Sequence, residues 1–288
     1  MNIVEIFAKF PKQEDCIAYL ERVRWHDKPV CPYCNSQKIT VVKTENRYHC
    51  NHCNASFSVT VGTIFHDTRL PLQKWFLALS LMLNAKKGIS ARQLARDLDV
   101  NKNTGWYLAM RIRKAITQAN ERELLLCVVE MDETYIGGKP RKGSGKTNKR
   151  GRGTSKTPVV GMIERGGKVK VEVVKNKKLN NKTLSSLVRK NVDTKNAVLF
   201  TDEYKGYIGI ADTIEHKTVN HQKWYVDGDV HTNSIESFWA LLKGGIVSQY
   251  HKVSVGYLPR YIDEFLYRFN NCESKDLFAL TITRAVGG

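Results

Sequence analysis

Two close cysteine pairs, Cys31-Pro32-Tyr33-Cys34 and Cys50-Asn51-His52-Cys53, constrain the fold of this chain more than any other feature. A C-x2-C turn lets both thiolates face one ion. Fifteen residues between the pairs (50 − 34 − 1) leave room for a small hairpin. Four thiolates at this spacing predict a tetrahedral Zn²⁺ site of the ribbon type. The alternating stretches Ile39-Thr40-Val41-Val42 and Arg47-Tyr48-His49 supply the hairpin. So small a module has little core, so the zinc carries much of its folding energy. His49 and His52 stand beside the second pair, but four cysteines already complete the shell. Cys16, Cys127 and Cys272 have no partner at ligand spacing and read as small, partly buried hydrophobes. Upstream, residues 14–25 read as a helical lead-in.

Residues 71–119 carry helical periodicity, with Leu72, Trp75, Phe76, Leu79, Met82 and Leu83 recurring at three- and four-residue steps. Ser90 and Asn101 are placed to cap two further helices, separated by a turn at Asp99-Val100-Asn101. That layout predicts a helix-turn-helix whose second helix, from Lys102, reads a DNA groove. Candidate contacts are Lys102, Asn103, Thr104, Arg111 and Arg113. Residues 71–120 hold nine Lys/Arg and two acids, and the whole chain has a formal net charge of +18. Such a surplus favours a polyanionic partner, because neutralising phosphates releases condensed counterions. The competing reading is a helical connector whose charges face water.

Beyond residue 121 the pattern becomes β-rich. Strand candidates are 124–131, 158–163, 169–174, 197–201 and a shorter 216–219, with a helix over 182–190 and a hairpin turn at Glu164-Arg165-Gly166-Gly167. Three strands, a helix, a fourth strand and further helices predict an α/β fold, a mixed sheet flanked by helices as in an RNase H-like core. The first and fourth strands then lie side by side. Asp132 and Asp202 end their apolar runs, and Glu236 lies on a later helix, near 232–244. Three carboxylates so placed suit two Mg²⁺ or Mn²⁺ ions. These are hard cations that take oxygen ligands and together clamp the attacking and leaving oxygens of a phosphodiester. Glu130 shares the face of Asp132 and is a reserve ligand, whereas Glu133 and Glu203 point to the opposite face from their neighbours. His231 either orients a carboxylate or phosphate or simply starts the helix.

Between the first two strands, residues 139–157 hold eight Lys/Arg, four Gly and no acid. This loop reads as a DNA-backbone clamp, with Arg141, Lys142, Lys146, Lys149, Arg150 and Arg152 as contacts; a solvated linker is the alternative. Gly143-Ser144-Gly145-Lys146-Thr147 lacks the spacing and the strand-to-helix setting of a nucleotide-binding loop. The aromatic-rich helix over 257–270 reads as core rather than as a base-stacking surface. No apolar stretch approaches the roughly 20 residues of a membrane span, and no signal peptide is visible. A reducing, cytoplasmic and nucleoid-associated setting is expected, given a prokaryotic host.

Several stretches together carry a family resemblance. They are Met131-Asp132-Glu133-Thr134-Tyr135-Ile136-Gly137-Gly138-Lys139, Thr201-Asp202-Glu203-Tyr204-Lys205-Gly206-Tyr207 and His231-Thr232-Asn233-Ser234-Ile235-Glu236-Ser237-Phe238-Trp239. With Val219-Asn220-His221, Tyr250-His251-Lys252-Val253-Ser254 and the cysteine pairs, they resemble the IS1595-family (ISXO2-like) insertion-sequence transposases over about residues 15–271. The resemblance implies a DDE transposase that binds terminal inverted repeats and target DNA as double strands, cleaves the ends and transfers the 3′-OH. Joining paired ends implies at least a homodimer. Asp132, Asp202 and Glu236 match the three acidic positions, and Lys243 the basic residue that follows, two helical turns on. Some relatives use Asn as the third ligand, which makes Asn233 a rival or accessory ligand. Gly244-Gly245 departs from the basic residue expected after Lys243. The expected division is a helix and zinc ribbon over 1–65, a helix-turn-helix over 66–120 and the catalytic domain over 121–288. Rival functions are a metal-dependent nuclease without strand joining and a zinc-ribbon regulator that no longer cuts.

Overall fold

The apolar periodicities become helices and strands close to where the sequence places them. The computed structural model describes residues 1–117, 123–138, 143, 154–176, 178–219 and 230–287. Most of the basic loop therefore lies outside the described residues, including Arg141, Lys142, Lys146, Lys149, Arg150 and Arg152, as do Asn220 and His221. The chain forms two units, Met1–Ala119 with Asn271–Gly288, and Asn120–Asn270.

In the first unit, α1 (Ile3–Lys9) and α2 (Gln13–Trp25) precede a small antiparallel sheet of β1 (Ile39–Val42), β2 (Arg47–Cys50) and β3 (Ser56–Phe57). Trp25 closes the sheet's modest core, edge-on to Tyr48 at 5.2 Å and to Phe57 at 5.9 Å. Three helices follow: α3 (Leu72–Asn84), α4 (Ala91–Asp97) and α5 (Lys102–Thr117). Both expected caps form. Ser90 Oγ accepts from Gln93 N at 3.2 Å, and Asn101 Oδ1 accepts from Asn103 N and Thr104 N at 2.9 Å each. The helices α4 and α5 approach closely because position 105 is glycine. A Cβ there would lie 2.6 Å from the Ala91 carbonyl oxygen and 2.8 Å from Ala95 Cβ.

Residues 271–288, assigned from sequence to the catalytic domain, belong to the first unit. Their helix α9 (Leu277–Val286) packs Phe278 edge-on to Phe76 at 5.5 Å. An apolar helix ten residues long carries no sequence mark of which core it joins.

The second unit is a five-stranded mixed sheet in the order β6-β5-β4-β7-β8. Its strands are β4 (Leu125–Ile136), β5 (Thr157–Glu164), β6 (Val169–Val173), β7 (Val192–Thr201) and β8 (Glu215–Thr218). The first three pair antiparallel, and β7 runs parallel to both β4 and β8. This is the RNase H-like arrangement. The helix α6 (Asn181–Asn191) supplies the crossover that a parallel β7 requires.

Alternation along β4 sends its residues to two cores. Val129 and Met131 join Leu184, Val188, Tyr207 and Ile210 on one face. Opposite, Ile136, Val159 and Ile163 pack beneath Ile235, Phe238, Trp239 and Leu242 of α7 (Asn233–Gly245) and Ile262 and Phe265 of α8 (Leu258–Asn270). The aromatic α8 is therefore core, as the sequence suggests.

Strand β4 also outlasts the apolar run that announces it. Asp132 is not at its end, because pairing with β5 continues to Ile136↔Thr157. Pairing with β7 stops at Glu130↔Phe200, and Asp132 and Asp202 each lie the same step beyond that pair. Cys127 and Cys272 are exposed, contrary to the sequence expectation; only Cys16 of the three is buried. At Cys127 the ladder to β7 shifts register and φ is +57°, so the bulge turns the side chain outward.

Candidate active site

Asp132 sits on the α7 face of the sheet, held by a neighbour the sequence analysis gave no role. Trp239 Nε1 donates to Asp132 Oδ2 at 3.0 Å. The indole fits there because the residue paired with Asp132 across the sheet is Gly161. A Cβ at Gly161 would lie 2.6 Å from Trp239 Cζ2. Burial first, then the negative charges of Glu133 and Asp202, push the Asp132 carboxyl up to about 7, against the pull of the Glu133 backbone N–H and the indole N–H. Asp132 and Asp202 are therefore close enough for each charge to act on the other, as their strand positions require. Asp202 Oδ1 accepts from Tyr204 N at 3.0 Å.

Glu236 behaves differently. It is exposed on α7, and its Oε1 accepts from the buried Thr232 Oγ1 at 3.0 Å. The oxygens of Asp132, Asp202 and Glu236 do not all come within 4.8 Å of one another. Two of the three predicted acids are thus brought together, while the third stands one helical turn from the indole that holds Asp132. Lys243 and Asn233 are exposed on the same helix.

Glu130 is fully buried and caps α7 from the neighbouring strand instead of facing an open ligand site. Its oxygens accept from Ser234 N at 2.8 Å, Ile235 N at 3.1 Å, Ser234 Oγ at 3.0 Å and Arg165 Nε at 2.7 Å. These bonds satisfy orphan N–H groups and place negative charge at the positive end of the helix. Arg165 also donates to the His231 carbonyl at 3.0 Å, and His231 Nδ1 lies 3.3 Å from Glu130 Oε1. His231 Nδ1 also lies 3.4 Å from the backbone N of Asn233, the first residue of α7, so the contacts match the helix-starting reading as well as the orienting one. Glu133 faces the other core, where it accepts from Tyr207 OH at 2.9 Å, and Glu203 is exposed. Burial and the charges of Glu133, Asp132 and Asp202 push the Tyr207 hydroxyl well up, so Tyr207 stays a neutral donor.

Oxygen-only donors whose like charges repel in a partly buried place fit hard divalent cations. In the ribbon, the four cysteine sulfurs all lie within 4.8 Å of one another. Cys31 and Cys53 are 3.7 Å apart, and Cys34 and Cys50 3.6 Å. Tetrahedral coordination at the usual Zn–S distance demands about 3.8 Å, so the residues fit zinc. Backbone N–H groups of Cys53 and His52 favour the Cys50 thiolate and bring it down to about 6. His49 turns instead to Ser56 Oγ at 3.4 Å.

On α5, Lys102 and Asn103 are exposed and Thr104 is partly so. The structure removes the two arginines from the proposed DNA contacts. Arg113 is 1% exposed, and Arg111 donates to the carbonyls of Ile64 at 2.8 Å and His66 at 3.0 Å. Arg113 lies on the buried face of α5, whereas Arg111, two residues away and so on a different face, is partly exposed and tied to loop carbonyls. Arg92, Arg96 and Lys102 line an open groove of about 440 Å³ at the turn, a feature the sequence analysis missed. Arg92 and Arg96 are four residues apart and so share one face of α4, a spacing visible in the sequence.

The sheet order β6-β5-β4-β7-β8 is that of an RNase H-like core. Residues 125–270 match the ISXO2-like transposase domain, and the chain belongs to that family. Residues 11–56 match the transposase zinc-ribbon domain. An uncharacterised protein in transposable element ISH50 of Halobacterium salinarum is 28% identical over 266 residues, 86% of this chain and 88% of the relative. Among solved structures, the Mos1 transposase paired-end complex with left transposon end is 15% identical with a TM-score of 0.33, covering 74% of this chain and 75% of that one. The Mos1 strand transfer complex is 13% identical with the same TM-score and coverage. The family assignment rests on the domain match and not on these structures. Among the described residues no helix is long and apolar enough to cross a membrane.

Proposed function

We propose that this transposase binds the terminal inverted repeats of its own element, cleaves at the ends, and joins the freed 3′-OH to target DNA. The observation that supports this reading best is the juxtaposition of Asp132 and Asp202 beneath the helix that carries Glu236. Asp132, Asp202 and Glu236 are assigned to hold two Mg²⁺ or Mn²⁺ ions, with Asn233 as an accessory oxygen donor. Bound there, the ions would supply Lewis-acid stabilisation to the attacking and leaving oxygens. Glu236, whose Oε1 accepts from Thr232 Oγ1, would hold the ions from α7. Lys243 contacts a DNA phosphate and restrains the scissile strand.

In cleavage, a water oxygen bonds to phosphorus and the 3′-oxygen leaves with its electron pair, becoming the 3′-OH. In joining, that 3′-OH bonds to a target phosphorus and displaces the target's own 3′-oxygen, so bond number is conserved. The exposed Lys102 and Asn103 and the partly exposed Thr104 position the end in the first unit. The basic loop residues Arg141, Lys142, Lys146, Lys149, Arg150 and Arg152 are assigned to the DNA backbone. Pairing of two ends requires at least a dimer, and Zn²⁺ holds the ribbon.

The test incubates the full chain with Mg²⁺ and linear DNA carrying the sequences that flank its own gene. Joined products are expected. Cleavage without joining would make it a nuclease, and retention of DNA without cleavage a binding regulator.

A further inference from the structure

Two contacts tie α7 to β4, and together they fix more than the helix. At its N-terminus, Glu130 accepts from Ser234 N and Ile235 N, which ties the first turn of the helix to β4. One turn later the Trp239 indole lies against the space left by Gly161, where any Cβ would collide with it. The side chain is 3% exposed, so its N–H must find an acceptor inside the protein. That acceptor is Asp132 Oδ2 at 3.0 Å. A carboxylate on an isolated strand rotates about its terminal bond. Here one oxygen is engaged, and the rotation is restrained.

We propose that Trp239 is a positioning residue for Asp132: its N–H engages one carboxylate oxygen and leaves the other aimed at the divalent ion. This rests on the assignment of Asp132 as an ion ligand. Because Trp239 and Glu236 are neighbours on one helix, the same bond also ties the helix that carries the third acid to the strand that carries the first. Outer partners of this kind typically change metal affinity about 10- to 100-fold when removed.

The test uses the zinc-loaded full chain with Trp239 replaced site-specifically by 3-benzothienylalanine, which keeps the bicyclic shape and puts sulfur where the N–H was. Trp239→Phe serves as a second variant. Mn²⁺ binding is measured by calorimetry, alongside the Mn²⁺ concentration that half-saturates end cleavage. A weakening of about tenfold or more in both is expected, with retained DNA binding and a metal-free melting temperature close to the parent's for the analogue. Unchanged or tighter Mn²⁺ binding by the folded analogue overturns the proposal. Asp132→Asn, run in parallel, separates the two levels. If it abolishes ion binding while the Trp239 variants match the parent, only the positioning role falls. If it binds Mn²⁺ and cleaves like the parent, the assignment of Asp132 falls as well.

Discussion

Asp132 shows at the level of one residue how a buried carboxyl loads the fold that holds it. Its carboxyl is ordinarily near 3.8 and is pushed up to about 7 by burial and by Glu133 and Asp202. The folded chain thus binds this proton more tightly than the unfolded one. The resulting stability is fully present below the unfolded value and is lost as pH rises through about 7. Without added divalent metal, the parent should therefore be less stable at pH 8 than at pH 5 on account of this group. Asp132→Asn should remove that loss and stabilise the zinc-loaded protein at pH 8 by on the order of 1–4 kcal/mol. The same substitution should lower end cleavage by roughly a thousandfold, since ion-assisted charge stabilisation contributes several kcal/mol. Urea unfolding at the two pH values checks the first outcome. A variant no more stable than the parent at pH 8 would show that Asp132 is not under this load.

For the elements, the α4–α5 pair depends on how closely the two helices meet. Alanine at position 105 favours helix by about 1 kcal/mol over glycine. It also drives a Cβ to within 2.6 Å of the Ala91 carbonyl, a backbone atom that cannot rotate aside. Overpacking of this kind costs about 1–3 kcal/mol, so the clash prevails. Gly105→Ala should lower the melting temperature and weaken binding to element ends while the zinc ribbon keeps its metal. A variant with raised stability would mean that the two helices do not meet as described. Helix α7 is legible in part: its Ile235, Phe238, Trp239 and Leu242 stripe announces a buried face. Its anchoring by Glu130 and Asp132 is invisible to periodicity, because those partners lie more than a hundred residues away in the chain.

Across the whole molecule, the formal charge of +18 sets the expected physics of DNA association. Affinity should fall steeply with salt, by a slope of about 0.9 per phosphate neutralised. Lys102→Ala with Asn103→Ala should weaken binding to element ends more than to unrelated DNA and flatten the salt slope by about 1. Equal losses on both DNAs in filter-binding titrations would remove the reading role of α5. Arg111 and Arg113 count toward the formal charge but not toward this effect, because one is bonded to backbone carbonyls and the other is buried.

The sequence by itself determined the cysteine cluster, the caps at Ser90 and Asn101, the strand–helix–strand order and two aspartates just past the last β4–β7 pair. These are local matters of spacing, capping and alternation, which a few residues specify. Tertiary structure decided that Glu130 holds a helix and is not an open ligand, that Gly161 makes room for Trp239 beside Asp132, and that Arg113 is interior. It also decided that α9 joins the first unit. Each of these depends on which surface meets which, and hydrophobic burial, being non-directional, does not write its partner into the local pattern.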